Sequence, residues 1–148
     1  MIRKAKIGDI KQIQRLINGF AKDNLMLPRS LNELYENLRD FFVYEEKNNI
    51  LGCCALHISW DDLAEIKSLA VDKKCRKKGI GRSLVGLCIQ EAQEIGAKKI
   101  FALTYVPKFF RNIGFRKISH NELPHKIWAE CINCPKFPDC QETALIKK

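Results

Sequence analysis

An α/β (α+β) chain, helices laid against a sheet, is the fold class this sequence predicts, on three observations. Strand-like and helix-like apolar spacings alternate along the chain. Two strand-like runs flank the polar Lys47-Asn-Asn49, as in an antiparallel hairpin. The apolar run Ala64-Glu-Ile-Lys-Ser-Leu-Ala-Val71 passes through the basic loop Arg76-Lys-Lys-Gly-Ile-Gly-Arg-Ser83 into a long amphipathic helix.

The elements follow in order. Residues 2–7 form a short strand. Asp9 and Gln12 cap a helix whose apolar face is Ile10, Ile13, Leu16, Ile17 and Phe20. Pro28 breaks the chain, and Ser30 with Glu33 makes a second capping box ahead of Leu31, Leu34 and Leu38. Strands 41–44 and 50–56 make the hairpin, and 63–71 is the next strand. The helix from Ile80 to Ile95 carries Leu84, Leu87, Cys88 and Ala92 at helical spacing and stops at Gly96. Residues 99–104 are a strand, about 107–113 a short helix, Gly114-Phe115 opens another strand, and Thr143 to Ile146 closes the order.

With 148 residues the chain fits one domain, residues 1–148, ending in a Cys-rich segment, 124–148. Hydrophobic content of 46% and charged content of 29% exclude an extended disordered chain. No apolar run approaches the ~20 residues of a membrane span, and Met1-Ile-Arg-Lys lacks a signal-peptide core, so a cytoplasmic protein is expected. The net charge of +9 asks for an anionic partner. Outside 73–82 the cations are dispersed, and RNA-binding aromatic motifs and paired zinc-finger spacings are missing, so small anions are favoured over nucleic acid. Cys53, Cys54 and Cys88 fall in apolar patterns and read as core residues; Cys75, in the basic loop, has no base in sequence to activate it.

The loop at 76–83 supplies what a phosphate needs. Glycines admit close backbone approach, the helix start offers free amides and a positive dipole end, and Arg76, Lys77, Lys78 and Arg82 add full charges. Neither the P-loop nor the dinucleotide glycine pattern is present. Arg-x-x-Gly-x-Gly behind a Leu-Ala-Val strand instead resembles the acetyl-CoA signature of the GNAT acetyltransferase superfamily. Phe109-Phe-Arg-Asn-Ile-Gly-Phe115 is similar to that family's F-Y/F-x-x-x-G-F segment, although packing of a helix on a sheet explains it almost as well. The resemblance implies a mixed central sheet whose fourth and fifth strands splay apart. It implies acetyl-CoA as donor, gripped by Leu69, Ala70, Val71, Arg76, Lys77, Lys78, Gly79, Ile80, Gly81, Arg82 and Ser83. Members of the family are often dimers, so a homodimer is compatible with it.

Glu65 occupies the position of the glutamate that acts as base, often through water, in several members of the family. The alternative is a strand carboxylate paired with Lys67. Many relatives place a Tyr acid where this chain has Phe110, which cannot donate a proton; a thiol with pKa near ~8.5 leaves tolerably without one. Tyr105 is a conceivable substitute, with packing as the competing role.

Leu27-Pro-Arg-Ser30, Tyr35-Glu-Asn-Leu-Arg-Asp-Phe-Phe42, the Ala64–Val71 strand and Leu103-Thr-Tyr-Val-Pro-Lys-Phe-Phe110 resemble the amino-acid N-acetyltransferases of arginine biosynthesis, in particular single-domain N-acetylglutamate synthases. The resemblance implies transfer of acetyl to the α-amine of L-glutamate. A dicarboxylic acceptor needs cations at two ends; Arg29 and Lys67 are the candidates, with Lys126 a weaker third. His125, Cys131, Cys134 and Cys140 carry donors enough for zinc, but one C-x-x-C with dispersed partners is a weak pattern. Reduced thiols packed with Trp128 and Phe137, or an occasional disulfide, explain it too, so no metal site is assigned. Two rival functions stand: acetylation of another amine (a protein N-terminus, lysine or polyamine), and a non-catalytic module binding CoA or nucleic acid.

Overall fold

The computed structural model describes residues 1–23, 26, 28–76, 78–123 and 143–148. In chain order these form β1 (Ile2–Lys4), α1 (Ile10–Lys22), α2 (Leu31–Glu36), β2 (Phe41–Glu46), β3 (Asn49–Trp60), β4 (Leu63–Val71), α3 (Ile80–Glu94), β5 (Lys99–Thr104), α4 (Pro107–Arg111), β6 (Arg116–Ile118) and β7 (Thr143–Lys147). The strands make one seven-stranded mixed sheet, ordered β1-β2-β3-β4-β5-β7-β6. Only β4 and β5 run parallel, joined through α3; every other neighbouring pair is antiparallel.

Because successive strand side chains face opposite ways, adjacent Cys53 and Cys54 enter different cores. Cys53 joins Val43 and Phe41 under Ile10, Ile13 and Ile17 of α1 and Leu34 of α2. Cys54 joins Leu56, Ala64 and Ile66 under Leu84, Val85, Cys88 and Ala92 of α3, with Phe110 and Phe115 closing the end. Cys53, Cys54 and Cys88 are fully buried, as expected of core residues, and burial pushes the Cys53 thiol up to about 12. Cys75, expected in an open basic loop, is buried in the second core.

Several boundaries differ from expectation. The first strand stops at Lys4 and the chain turns through a 3-10 segment, Ile7–Asp9. Asp9 does not cap α1 with Gln12. Its carboxylate takes two hydrogen bonds from the Arg3 guanidinium (2.7 and 3.0 Å) and one from the Lys6 amide (2.8 Å). Gln12 instead accepts from the Ile50 amide at 3.0 Å, tying α1 to β3. The second cap holds, with the Ser30 hydroxyl accepting from the Glu33 amide at 3.1 Å. α2 then ends at Glu36, so Leu38 belongs to a 3-10 turn, Leu38–Asp40. The hairpin turn narrows to Lys47 and Asn48, both left-handed (φ 51° and 65°), which suits a two-residue turn. β3 continues past Leu56 to Trp60, and that extension carries His57.

The Arg3 bonds hold the Asp9 carboxyl below its ordinary range. A depressed folded-state pKa contributes stability above the unfolded value of ~3.9, and that stability is lost as pH falls through the folded one. Asp9→Asn should lower stability at neutral pH and flatten its decline below pH ~4; urea melts across that range measure both.

Candidate active site

Strand β4 pairs with β5 only from Leu63↔Lys99 to Ile66↔Ala102. Beyond that register β4 runs on through Val71 with β3 as its only ladder partner among the described residues, and β5 ends at Thr104. A notch therefore opens between two adjacent central strands. Its cause lies in β4. Cys53 pairs with Ala70 and Ala55 with Lys67, so β4 spends one residue more than β3 between those pairs. Ser68 absorbs the excess at φ 55°, an uncommon conformation for a non-glycine residue. Such a bulge bends its strand and frees backbone groups from the ladder. Across the notch, the Thr104 hydroxyl accepts from the Val106 amide at 3.0 Å and turns the chain into α4.

Past Val71, Asp72 caps a 3-10 turn over Lys73–Cys75. Gly79 then takes φ 76° and serves as N-cap of α3. The first helical bond runs from the Ser83 amide to the Gly79 carbonyl (3.0 Å). No side chain caps this start, so the amides of Ile80, Gly81 and Arg82 remain as donors beside the end of β4. Gly81 is not required by packing. A Cβ there would meet Phe109 at 3.6 Å and Val71 at 3.7 Å, ordinary contact distances. Lys78, Arg82 and Ser83 are exposed at the same end, Ile80 is a core residue that offers only its backbone, and Lys77 lies outside the described residues. Arg76 stacks its guanidinium 5.7 Å from the Phe20 ring, linking the loop to α1. Leu69 and Val71 turn toward the α3 core and Ala70 toward α1. Anionic groups fit this end of the notch, as unpaired amides, a helix start and three described cations converge on it.

On the α1–α2 face of the sheet lies a cleft of about 290 Å³, open mouth included. Leu34, Phe41 and Ala55 line it, with Arg29, Lys67, Glu33, Asp40 and His57 as its charged or titratable members. Arg29 is fixed by α1, since the Asn18 side chain accepts from its amide (3.1 Å) and Gln14 donates to its carbonyl (3.2 Å). The guanidinium bonds Glu33 through Nη1 at 3.3 Å, but its buried Nε has no hydrogen-bond partner among the described residues. A buried donor left unpaired costs about 1–3 kcal/mol. Lys67 stands opposite Ala55 and Glu65 opposite His57, so all four side chains share that sheet face. Glu65 is 8% exposed and engaged by neighbours.

Sequence reasoning thus named Arg29, Lys67 and Glu65, which the fold gathers on one face, and the loop residues, which it gathers at the notch. It missed Asp40 and His57, whose side chains meet at 2.6 Å, and the bulge at Ser68. Phe110 is 3% exposed and packs edge-on against Phe109 and Phe115 (5.2 and 5.3 Å), so its segment serves the core. Tyr105, at the end of β5, is half-buried and has partners of its own. Lys126 and the His125, Cys131, Cys134, Cys140 set lie outside the described residues, as does most of the Cys-rich segment. Among the described residues no His, Cys, Asp and Glu cluster could hold a metal, and no helix is long and apolar enough to cross a membrane.

Comparison with known proteins agrees with this geometry. An uncharacterised N-acetyltransferase of Chlorobaculum tepidum is 41% identical over 99% of this chain and 94% of its own length. An amino-acid acetyltransferase of Mycobacterium tuberculosis is 32% identical over 88% of this chain and 76% of its own. Among solved structures, N-acetylglutamate synthase from Neisseria gonorrhoeae, complexed with coenzyme A and N-acetyl-glutamate, superposes with a TM-score of 0.91 at 30% identity. It covers 99% of this chain, which spans only 34% of that longer protein. The family model for the acetyltransferase (GNAT) family matches residues 9–115. With parted central strands, an open helix start behind them and relatives of this closeness, the chain belongs to the GNAT acetyltransferases.

Proposed function

We propose that this chain is an amino-acid N-acetyltransferase that moves acetyl from acetyl-CoA to the α-amine of L-glutamate, the acylation that serves arginine biosynthesis. Acetyl-CoA supplies an activated acyl group on sulfur. The open amides of α3 and its neighbouring cations suit the diphosphate, and the free edge of β4 suits the arm that leads to the thioester.

One observation carries the choice of acceptor: Arg29, whose buried Nε is unpaired among the described residues, and Lys67 line a single cleft on the face that holds Glu65. Two cations at one cleft match two carboxylates, and the carboxylate beside them matches the amine that must lose a proton. The likeness to amino-acid acetyltransferases, and to a synthase solved with N-acetyl-glutamate, supports the same reading. A polyamine would want free acidic walls. Here Glu33 and Asp40 are bonded to Arg29 and His57.

The test is thiol release from acetyl-CoA across glutamate, aspartate, glutamine, ornithine, polyamines and short peptides. Glutamate should give the highest kcat/KM; a polyamine or peptide ahead of every amino acid would overturn the proposal. The loop has its own test. Placing a β-branched side chain at φ 76° strains the backbone and fills the space above the open amides. Gly79→Val should therefore lower the Tm by several degrees and raise the KM for acetyl-CoA about tenfold or more, with the acceptor KM little changed.

A further inference from the structure

His57 and Asp40 have no part in the steps above. The His57 Nδ1 lies 2.6 Å from an Asp40 carboxylate oxygen. A carboxylate only accepts, so the ring nitrogen facing it carries the hydrogen and Nε2 keeps the lone pair of the neutral imidazole. Asp40 thereby sets the tautomer and orientation in which a histidine works as a base. His57 lines the same cleft as Arg29 and Lys67. It also stands directly opposite Glu65 in the β3–β4 ladder, where facing Cβ atoms are about 4.5–5.5 Å apart.

The reaction itself asks for two proton acceptors. The α-amine of a free amino acid enters at neutral pH as an ammonium with three N–H bonds, and the amide product keeps one. One proton must leave before the nitrogen lone pair can form the C–N bond. The second leaves as that bond forms and the C–S bond breaks. One of the two ends on the departing sulfur and the other in solvent.

We propose that His57, oriented by Asp40, takes the first proton from the acceptor ammonium and passes it to solvent, while Glu65 takes the second. The division follows exposure: His57 is half-buried at the cleft, whereas Glu65 is buried. Facing His57 are Asp40 from the turn before β2, Glu65 and Lys67 from β4, and Arg29 and Glu33 across the cleft. The inference rests on the acceptor cleft and on Glu65 as proposed above.

His57→Asn keeps a donor toward Asp40 and removes the base. It should lower kcat/KM for L-glutamate, or for whichever amino acid the acceptor panel selects, by about 100-fold, with the KM for acetyl-CoA unchanged. Two readouts separate base from scaffold. Against an α-aminooxy analogue of the acceptor, whose nitrogen is already neutral at pH 7, the loss should shrink to a few-fold. In His57→Ala, added imidazole should restore the rate. Without turnover, NMR signals of the His57 ring should shift when the acceptor amino acid is added with coenzyme A. Unchanged kcat/KM in His57→Asn, an equal loss with the aminooxy analogue, or a loss confined to the acceptor KM would overturn the assignment. If Glu65→Gln is crippled while His57→Asn is normal, only His57 loses its role. If the panel finds no amino-acid acceptor, the cleft assignment fails first.

Discussion

Glu65→Gln should lower kcat by about 10²-fold or more near neutral pH and flatten the rising limb of the pH–rate profile. The substitution keeps the size and hydrogen-bonding shape of the side chain and removes its ability to take a proton. Glu65 is buried on β4 and lies between Lys67, two residues along the same face, and His57 across the ladder, so a side chain of equal shape leaves the packing in place. The KM values for both substrates should therefore stay within about threefold. A steady-state profile from pH 6 to 9 decides the matter; wild-type rates and an unchanged limb would remove Glu65 from the chemistry.

Arg29→Gln should raise the acceptor KM by about 10- to 100-fold, the worth of one charge-assisted hydrogen bond of ~1.5–3 kcal/mol. The backbone of Arg29 is held by Gln14 and Asn18, so the exchange alters the side chain without releasing the segment. The KM for acetyl-CoA, proposed to bind at the notch, should move less than about twofold. Initial-rate measurements with each substrate varied against the other give both constants, and equal rises would reject Arg29 as an acceptor contact.

How much of this was legible in the sequence follows from the range of each interaction. The strand–loop–helix of 63–94 is local, written in a run of apolar residues, two glycines and a helical repeat, and its boundaries came out nearly right. So did the Ser30 cap, which reaches only to Glu33. Asp9 shows the limit. Its position suits a helix cap, but Arg3 and Lys6 claim its oxygens once β1 turns back on itself. β3 runs past Leu56 through His57, a polar residue that lines the cleft, so the strand end reads as a loop until the fold is seen. Asp40 and His57 come together across a 17-residue separation, and Arg29 meets Lys67 only through the fold. The bulge at Ser68 exists only as a mismatch between two strands, so β4 read alone could not reveal it.

The brief β4–β5 ladder also gives the molecule a mechanical property. Among the described residues, the ladder from Leu63↔Lys99 to Ile66↔Ala102 is the only strand pairing that joins β1–β4 to β5, β7 and β6. α3 packs on β2, β3 and β4, while α4 packs on β6 and β7, so each half of the sheet carries its own helix. The two helices nevertheless meet in one apolar core, where Leu84, Val85 and Cys88 pack with Ile100, Ala102, Phe110 and Leu145, and the Phe109 ring lies beside Gly81. The space beyond Ile66 is therefore there from the outset, and a guest can seat between the strands without breaking an inter-strand bond while that shared packing holds both sides in place.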